Sequence, residues 1–446
     1  MNKYVSKLFG IMFQSQPTRQ IVHIQPQPSP TSPEEWRAHW QARGFPWRTE
    51  PEIDAKRQEE LTKCRFIVPD IEKGIYPFKG MKLSRADVEW LLAMHENGQR
   101  RADWSGWRQP GPEGLDLRGA DLRHVNLSLM PFTRLRAGLK YEEWENANLE
   151  QRSMAVVLME GASLRWAHLE GAHFYEADLK GADLREAHLE GAHFRGVHLE
   201  GAILRGAHLE GASLRNAHLE GSDLRGAFFT SATNLAGIFL GNEKFGFASL
   251  RGVRWDDVEL SVVDWTQVKI LGDERQARQR MRDNGEMKTA TIRLEEYLEV
   301  VRANRKLAVA LQEQGLNEEA ARFAYRAQIL QRKVFWLQRK VGRWLFSLML
   351  AFLAGYGYRM GRILLAYVLV VSICAVAYFI LGLHYPPHLS LLQAFLESIT
   401  AFHGRVFAEL FSPFTPQIWV TAFEAVAGLV IEGVFIAMLT QKFFSK

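Results

Sequence analysis

The residues of this chain that could do chemistry fall in two places. Near the C-terminus, Glu424 and Glu432 are the sole charges in an apolar run from Ile418 to Thr440. Just before that run stands Thr400-Ala401-Phe402-His403-Gly404-Arg405, which gathers a hydroxyl, an imidazole and a guanidinium. Ionisable groups inside apolar segments serve ion or proton passage, gating, or a buried ion pair. Glu432 fits three roles: a gate, a proton site, or a protonated carboxyl bonded to the Thr440 or Ser372 hydroxyl. Gly428 and Gly433 stand beside these acids on the same run.

The second place is the middle of the chain. His168, His188 and His208 recur 20 residues apart. Arg165, Arg185, Arg205 and Arg225 do the same, as do Glu170, Glu190 and Glu210, while Glu200 and Glu220 join Lys180. A metal needs converging donors, and a ladder of like groups gives a line. The histidines are therefore read as an exposed polar ladder, with no metal expected. No nucleophile stands beside a base, no glycine loop could cradle phosphate, and no carboxylates pair in a cleft pattern. The chain is expected to be no enzyme and to need no cofactor. Cys64 and Cys374 have no Cys or His neighbour at metal-ligand spacing, and they are not expected to pair.

A five-residue period positions the ladders. Leucine or phenylalanine recurs at Leu164, Leu169, Phe174, Leu179, Leu184, Leu189, Phe194 and onward to Phe229, with a small residue two places before nearly every one. On a helix, five residues rotate by about 140°, which scatters these side chains around the axis. On a continuous strand an odd period flips each one to the opposite face. The pattern works if the chain bends once per repeat and turns every large residue inward. Units such as Ala-Asp-Leu-Arg-Gly and Ala-His-Leu-Glu-Gly resemble pentapeptide repeats, whose pattern is A-(D/N)-L-x-x. That resemblance implies a right-handed quadrilateral parallel β-helix over residues 115–265. Four pentapeptides then make a coil, and about five to six coils at ~4.8 Å make a rod about 25–30 Å long. The reading places a loss of register across Ser128–Asn146, a restart at Leu149, a one-residue slip after Phe229, and a final run through Phe245, Leu250, Trp255 and Leu260. Faces of alternating charge are expected around the coil. From Leu149 to Phe229 there are 12 acids and 8 bases. That balance favours a solvated, charge-striped surface over a mimic of duplex nucleic acid, so a nucleic-acid partner is not expected.

At 446 residues the chain has room for about three domains of roughly 150 residues each. Residues 1–32, rich in Gln, Pro, Ser and Thr, read as a disordered tail. Residues 33–114 carry Trp36, Trp40, Trp47, Trp90, Trp104 and Trp107 and read as a capping domain, with helices starting at Ser32-Pro33 and at Ser84. Residues 270–341 read as a cytoplasmic helical hairpin broken at Gly315. Gln314–Ala320 resembles the turn of a tetratricopeptide repeat, but a single helix pair makes no array.

Residues 342–446 read as a membrane domain. Ile363–Leu383 has no charge, and both this run and Ile418–Thr440 are long enough to cross a bilayer core of roughly 30 Å. Trp344–Ala354 is too short to span and fits an interfacial helix. Between Gln331 and Arg362 stand seven bases and no acid, whereas the loop between the spans holds Arg405 as its one fixed positive charge. The positive-inside rule then puts both termini in the cytoplasm, the loop outside, and the basic block against anionic lipid.

The order span, apolar half-span helix, Thr400-x-x-x-Gly404, span resembles the two-span pore module of potassium channels. The resemblance implies a homotetramer conducting inorganic ions through a re-entrant pore helix and filter, with Glu424, Gly428, Glu432 and Gly433 on the inner helix. In the filter pattern Phe402 stands for the first glycine, His403 for the tyrosine and Arg405 for the aspartate. Arg405 would repel cations at the mouth unless neutralised, and an Arg405–Glu424 ion pair, within or between subunits, is expected. The leading reading is thus a membrane ion channel carrying a cytoplasmic rod that receives an unknown protein or ligand. A non-conducting membrane-anchored scaffold is second, and a membrane-tethered nucleic-acid mimic third.

Overall fold

The computed structural model describes residues 32–95, 113–282, 285–357, 360–405 and 415–444. The tail up to residue 31, Trp104, Trp107, Arg359 and Lys446 lie outside the described residues. The chain divides into two compact units.

The first unit holds helix α1 (Pro33–Ala42), most of α2 (Ala55–Arg65) and α3 (Arg85–Met94). Ser32 caps α1 by accepting from the Glu35 N–H, and a capping box of Ser84 and Asp87 starts α3. Trp36, Trp40 and Trp90 are buried. Fully buried Glu89 is satisfied by the N–H groups of Thr49 and Glu50, each at 2.9 Å, and by Arg85 Nε at 2.8 Å.

The repeat region winds as a parallel β-helix of short bridges. Asp178 pairs with His198, Asp183 with Ile203 and His188 with His208, so one coil takes 20 residues. Leu189 N–H donates to the His208 carbonyl at 2.8 Å, and His208 N–H donates to Ala187 at 3.0 Å. Every leucine and phenylalanine of the period from Leu164 to Phe229 is at most 1% exposed, as are Ala162, Ala167, Ala172 and Ala177 two residues earlier. The bend is built at the second residue after each inward leucine, which takes a left-handed backbone. Gly181 has φ +62° there, while Trp166, Glu176, Glu186 and Asn216 hold φ between +53° and +57° without glycine. Tertiary hydrogen bonds on both sides hold these unfavourable dihedrals in place.

Two register expectations are corrected. The coils do not stop at Ser128: Asn126 pairs with Ser163, Pro131 with His168 and Arg136 with His173, all 37 residues apart. One coil therefore carries a 17-residue insertion holding α4 (Tyr141–Asn146) and α5 (Leu149–Ala155). Leu149 is 76% exposed, and the core resumes at Val157. Phe132 takes the leucine position and Met130 the alanine position, which disguised the register. At the other end the one-residue slip is present, since Ser213 pairs with Asn234. Strand β1 (Phe228–Thr230) then runs parallel to β4 (Arg254–Asp256), 26 residues on. The extra residues form a hairpin of β2 (Gly241–Asn242) and β3 (Gly246–Phe247), which lifts Phe245 off the core to 38% exposure.

A short helix α6 (Gly272–Arg278) and a helical hairpin, α7 (Ala290–Glu313) and α8 (Asn317–Leu337), cover the last coil. Gly315 makes the turn with φ +77°. Trp265 meets Phe323 edge-on at 5.9 Å, and Gln314 bonds both the Leu260 N–H and the Val258 carbonyl at 2.7 Å. Arg326 grips buried Glu274 with two hydrogen bonds, at 2.8 and 2.7 Å. The open end of a solenoid core needs such a lid.

Helix α9 (Val341–Ala354) ends at Gly355 with φ +53° and leads into α10 (Met360–His384). Arg362 donates to the Ala351 carbonyl at 3.1 Å, satisfying the end of α9. Helix α11 (Leu391–Phe402) and helix α12 (Pro416–Phe444) pack with α10. Gly361–His384 and Pro416–Thr440 are long and apolar enough to cross a membrane, and their most apolar stretches are only 28% and 22% buried. A soluble core helix would be covered; these present Leu365, Val368, Ile373, Trp419, Phe423 and Leu429 outward.

Candidate functional site

Helix α11 starts at Ser390, whose capping box with Gln393 fixes its entry, and packs between the two long helices. Three residues after it comes the end of the described segment, and 406–414 lie outside the described residues. Thr400 Oγ1 donates back to the Glu397 carbonyl at 2.9 Å, so that hydroxyl is engaged inside the helix. Ala401 and Phe402 are buried. Phe402 meets Tyr367 edge-on at 4.7 Å and joins Ile363, Ala366, Val371, Ile431 and Met438 in one core. Gly428 lets this happen, because any Cβ there would collide with the Phe402 carbonyl. Gly433 faces open space. Gly404 turns the chain with φ +69°, and Arg405 N–H returns to the Thr400 carbonyl at 2.9 Å.

The two acids of α12 have different surroundings. Glu424 is fully buried, and Ser398 donates to it. Tyr378 and Cys374 of α10 also face this carboxyl, and Tyr378 Oη donates to Thr421 Oγ1 at 2.9 Å. Within the chain, then, Glu424 is held by neutral hydroxyls, and no ion pair joins it to exposed Arg405 among the described residues. Glu432 instead meets His403, with Nδ1 2.5 Å from Oε1. Neither the Thr440 nor the Ser372 hydroxyl serves it; Thr440 donates to the Ile436 carbonyl at 3.0 Å. His403 and Glu432 are 46% and 42% exposed, on a helix surface that is otherwise apolar. Glu397 is a third buried acid, 5% exposed, one residue before the Ser398 that donates to Glu424. Sequence reading missed it, although an acid at the centre of Leu391–Phe402 was signal enough.

On the repeat region, each histidine column runs beside a glutamate column, and the two such pairs lie half a coil apart with the arginine ladder between them. His198 Nδ1 lies 3.2 Å from Glu200 Oε1, His208 is 3.3 Å from Glu210 and His218 is 3.4 Å from Glu220. The rings of His168, His188 and His208 stack at 4.7 and 5.0 Å. The arginines are neutralised across coils, because Asp183 accepts from Arg165 at 2.5 Å and from Arg185 at 2.8 Å, and Asp223 accepts from Arg205 and Arg225. Burial works against ionisation of Asp183, yet the Arg185 and Arg165 guanidiniums hold its carboxyl below the usual range.

The profile of the family "Pentapeptide repeats" matches this chain over residues 159–196 and 192–230, in 8 copies. Residues 159–230 are pentapeptide repeats. No curated protein matches the chain. Among solved structures, the pentapeptide-repeat protein Rfr23 from the cyanobacterium Cyanothece 51142 is 26% identical, covering 30% of this chain and 88% of its own, with a TM-score of 0.16. QnrB1, a plasmid-mediated fluoroquinolone resistance protein, is 18% identical over 32% of this chain and 74% of its own, with a TM-score of 0.21. A pentapeptide-repeat protein of the Arabidopsis thaliana thylakoid lumen is 23% identical over 29% and 79%, with a TM-score of 0.15. The pentapeptide-repeat region accounts for the ladders and leaves the C-terminal helices to be read from their own residues.

Acid should loosen this pentapeptide-repeat region through His173. Burial pushes its imidazole down to about 4, helped by His193, Lys140 and Arg136. It stays neutral in the fold, while the unfolded chain takes up the proton below about 6.5. The unfolded state then binds more protons, so stability falls as pH drops from 6.5 to 4, by roughly 2–3 kcal/mol. His188 works in the opposite sense: Glu190 raises it, so its contribution is present at low pH and fades as pH rises through its folded value. Urea melts between pH 7 and 4 should show a loss that flattens in His173→Gln; an unchanged slope in that variant would refute the assignment.

Proposed function

We propose that the chain is a membrane protein that passes inorganic ions along the axis of a homotetramer. Each subunit contributes two spans and the re-entrant helix α11, with both termini in the cytoplasm. The rod, wound right-handed with four sides, is the cytoplasmic scaffold or sensor for a protein or ligand. One observation carries this reading. His403 and Glu432 form a half-exposed ionisable pair on the outer surface of a span, and Glu432 lies eight residues, about 12 Å, from Thr440. Charged groups at that depth face protein or water, not lipid tails. A second subunit and a wet axis meet that requirement. The pair then lines the path, with the carboxylate drawing cations inward.

The non-conducting scaffold is the second reading, and Phe402 favours it. At the position matching the first filter glycine, its side chain is buried and its carbonyl packs on Gly428, away from any axial ion.

Flux into liposomes holding the purified chain separates the two. Wild type should pass monovalent cations, and Glu432→Gln should cut the rate at least about tenfold, equivalent to ~1.4 kcal/mol. Absence of flux for every common ion, or a monomer in detergent, would remove the channel reading.

A further inference from the structure

We infer that the pentapeptide-repeat face binds a divalent transition metal of the zinc class between successive coils, through His198, Glu200 and His218. One donor atom from each lies within 4.8 Å of the other two. His198 and His218 stack at 4.9 Å with their planes 12° apart, so both Nδ1 atoms point the same way, toward the glutamate column. The expectation of no metal rested on a single ladder of histidines, which does not converge. The second column supplies the convergence.

Two further observations separate this rung from a simple hydrogen-bonded one. Glu200 is 8% exposed, yet its Oε2 is buried with no hydrogen-bond partner. A buried carboxylate oxygen left this way is costly unless something cationic fills the gap. The His198–Glu200 separation, 3.2 Å, is also long for a charge-assisted hydrogen bond of about 2.7–2.9 Å. It is near the roughly 3.4 Å that two ligands of one tetrahedral zinc require with Zn–N and Zn–O bonds of about 2.1 Å. The first rung supplies the contrast. The donor atoms of His168, Glu170 and His188 also lie within 4.8 Å, but there His168 and Glu170 are 2.8 Å apart and Glu170 Oε2 accepts from Thr133, so that rung is closed, both carboxylate oxygens already having partners.

Two imidazoles and a carboxylate leave the fourth position for water, the pattern of an open zinc site. Such an ion ties residue 198 to residue 218 and so clips one coil to the next. Its site needs only a proton to leave each Nδ1 and small ring rotations. Half a coil away, Glu190, His208 and Glu210 form a second set of two carboxylates and one imidazole, where both Oε2 atoms again lack partners.

The test uses the full chain in detergent, purified without a polyhistidine tag, stripped with chelator and dialysed against Zn2+. Bound zinc is counted by mass spectrometry. The wild type should hold two ions per chain, and Glu200→Gln should hold one fewer. Co2+ titration of the unaltered chain provides a second readout, intense visible bands from tetrahedral cobalt, which does not depend on any variant folding. His168→Asn, in the closed rung, should leave the zinc count unchanged. A wild type that retains no zinc and gives no cobalt bands overturns the site. So does a count that is equal in wild type and Glu200→Gln, or equally lowered in His168→Asn.

Discussion

Phe194→Ala should lower the unfolding free energy of the chain by about 3–5 kcal/mol. Phe194 is fully buried and stacks on Phe174 of the preceding coil at 5.1 Å and 11°. Two effects add. The ring loses its burial, and a cavity remains that the walls cannot fill. Collapse is blocked because each wall is pinned by backbone hydrogen bonds: Phe194 N–H to Ser213 at 2.7 Å on one side, His193 N–H to Ala172 at 2.8 Å on the other. In a linear array, weakening one interface also uncouples the coils that it joins. The denaturant slope should therefore fall along with the midpoint. Urea unfolding followed by far-UV circular dichroism measures both. Exposed Glu160→Ala provides the baseline, expected within about 0.5 kcal/mol of wild type. A loss below about 1 kcal/mol for Phe194→Ala would show that the axis of the rod is not close-packed.

The fold of the repeats was legible because one rule repeats. Leu at every fifth position, Ala two before and Gly two after specify an inward residue, a tight wall and a left-handed bend. It became illegible where other residues met the same physical demands. Phe132 and Met130 fill core positions as well as Leu and Ala do, and Trp166 and Glu186 accept the positive φ that the pattern assigns to glycine. The insertion holding α4 and α5 was likewise hidden, because a loop can enter a solenoid wherever the coil resumes in register, and resumption depends on pairing 37 residues apart. The two long apolar helices were legible from length and apolarity alone. The partners of their acids were not: which of Arg405, Ser398 or His403 meets Glu424 or Glu432 depends on helix rotation and depth, to which a hydropathy pattern is blind. The ladders show the same limit. A 20-residue period stacks His on His, but it does not reveal that the His and Glu flanking each inward leucine meet each other.

Gly428→Ala should destabilise the packing of α10, α11 and α12 by about 3 kcal/mol, the upper range for overpacking. A Cβ at Gly428 would fall 1.9 Å from the Phe402 carbonyl oxygen and 2.9 Å from its carbon. The obstacle is backbone, so no rotamer change relieves it; α11 must move away from α12. That shift strikes the end of α11, where Phe402 leaves its contact with Tyr367 and His403 leaves Glu432. Gly433→Ala makes the comparison decisive. Its Cβ would meet nothing within 4 Å, and alanine favours a helix over glycine by roughly 0.5–1 kcal/mol. The two substitutions, five residues apart on one helix, should thus move the detergent-phase melting temperature in opposite directions. Only Gly428→Ala should also abolish any flux that depends on the His403–Glu432 pair. If both variants melt alike, the close approach of Phe402 to α12 is wrong, and with it the placement of His403 beside Glu432.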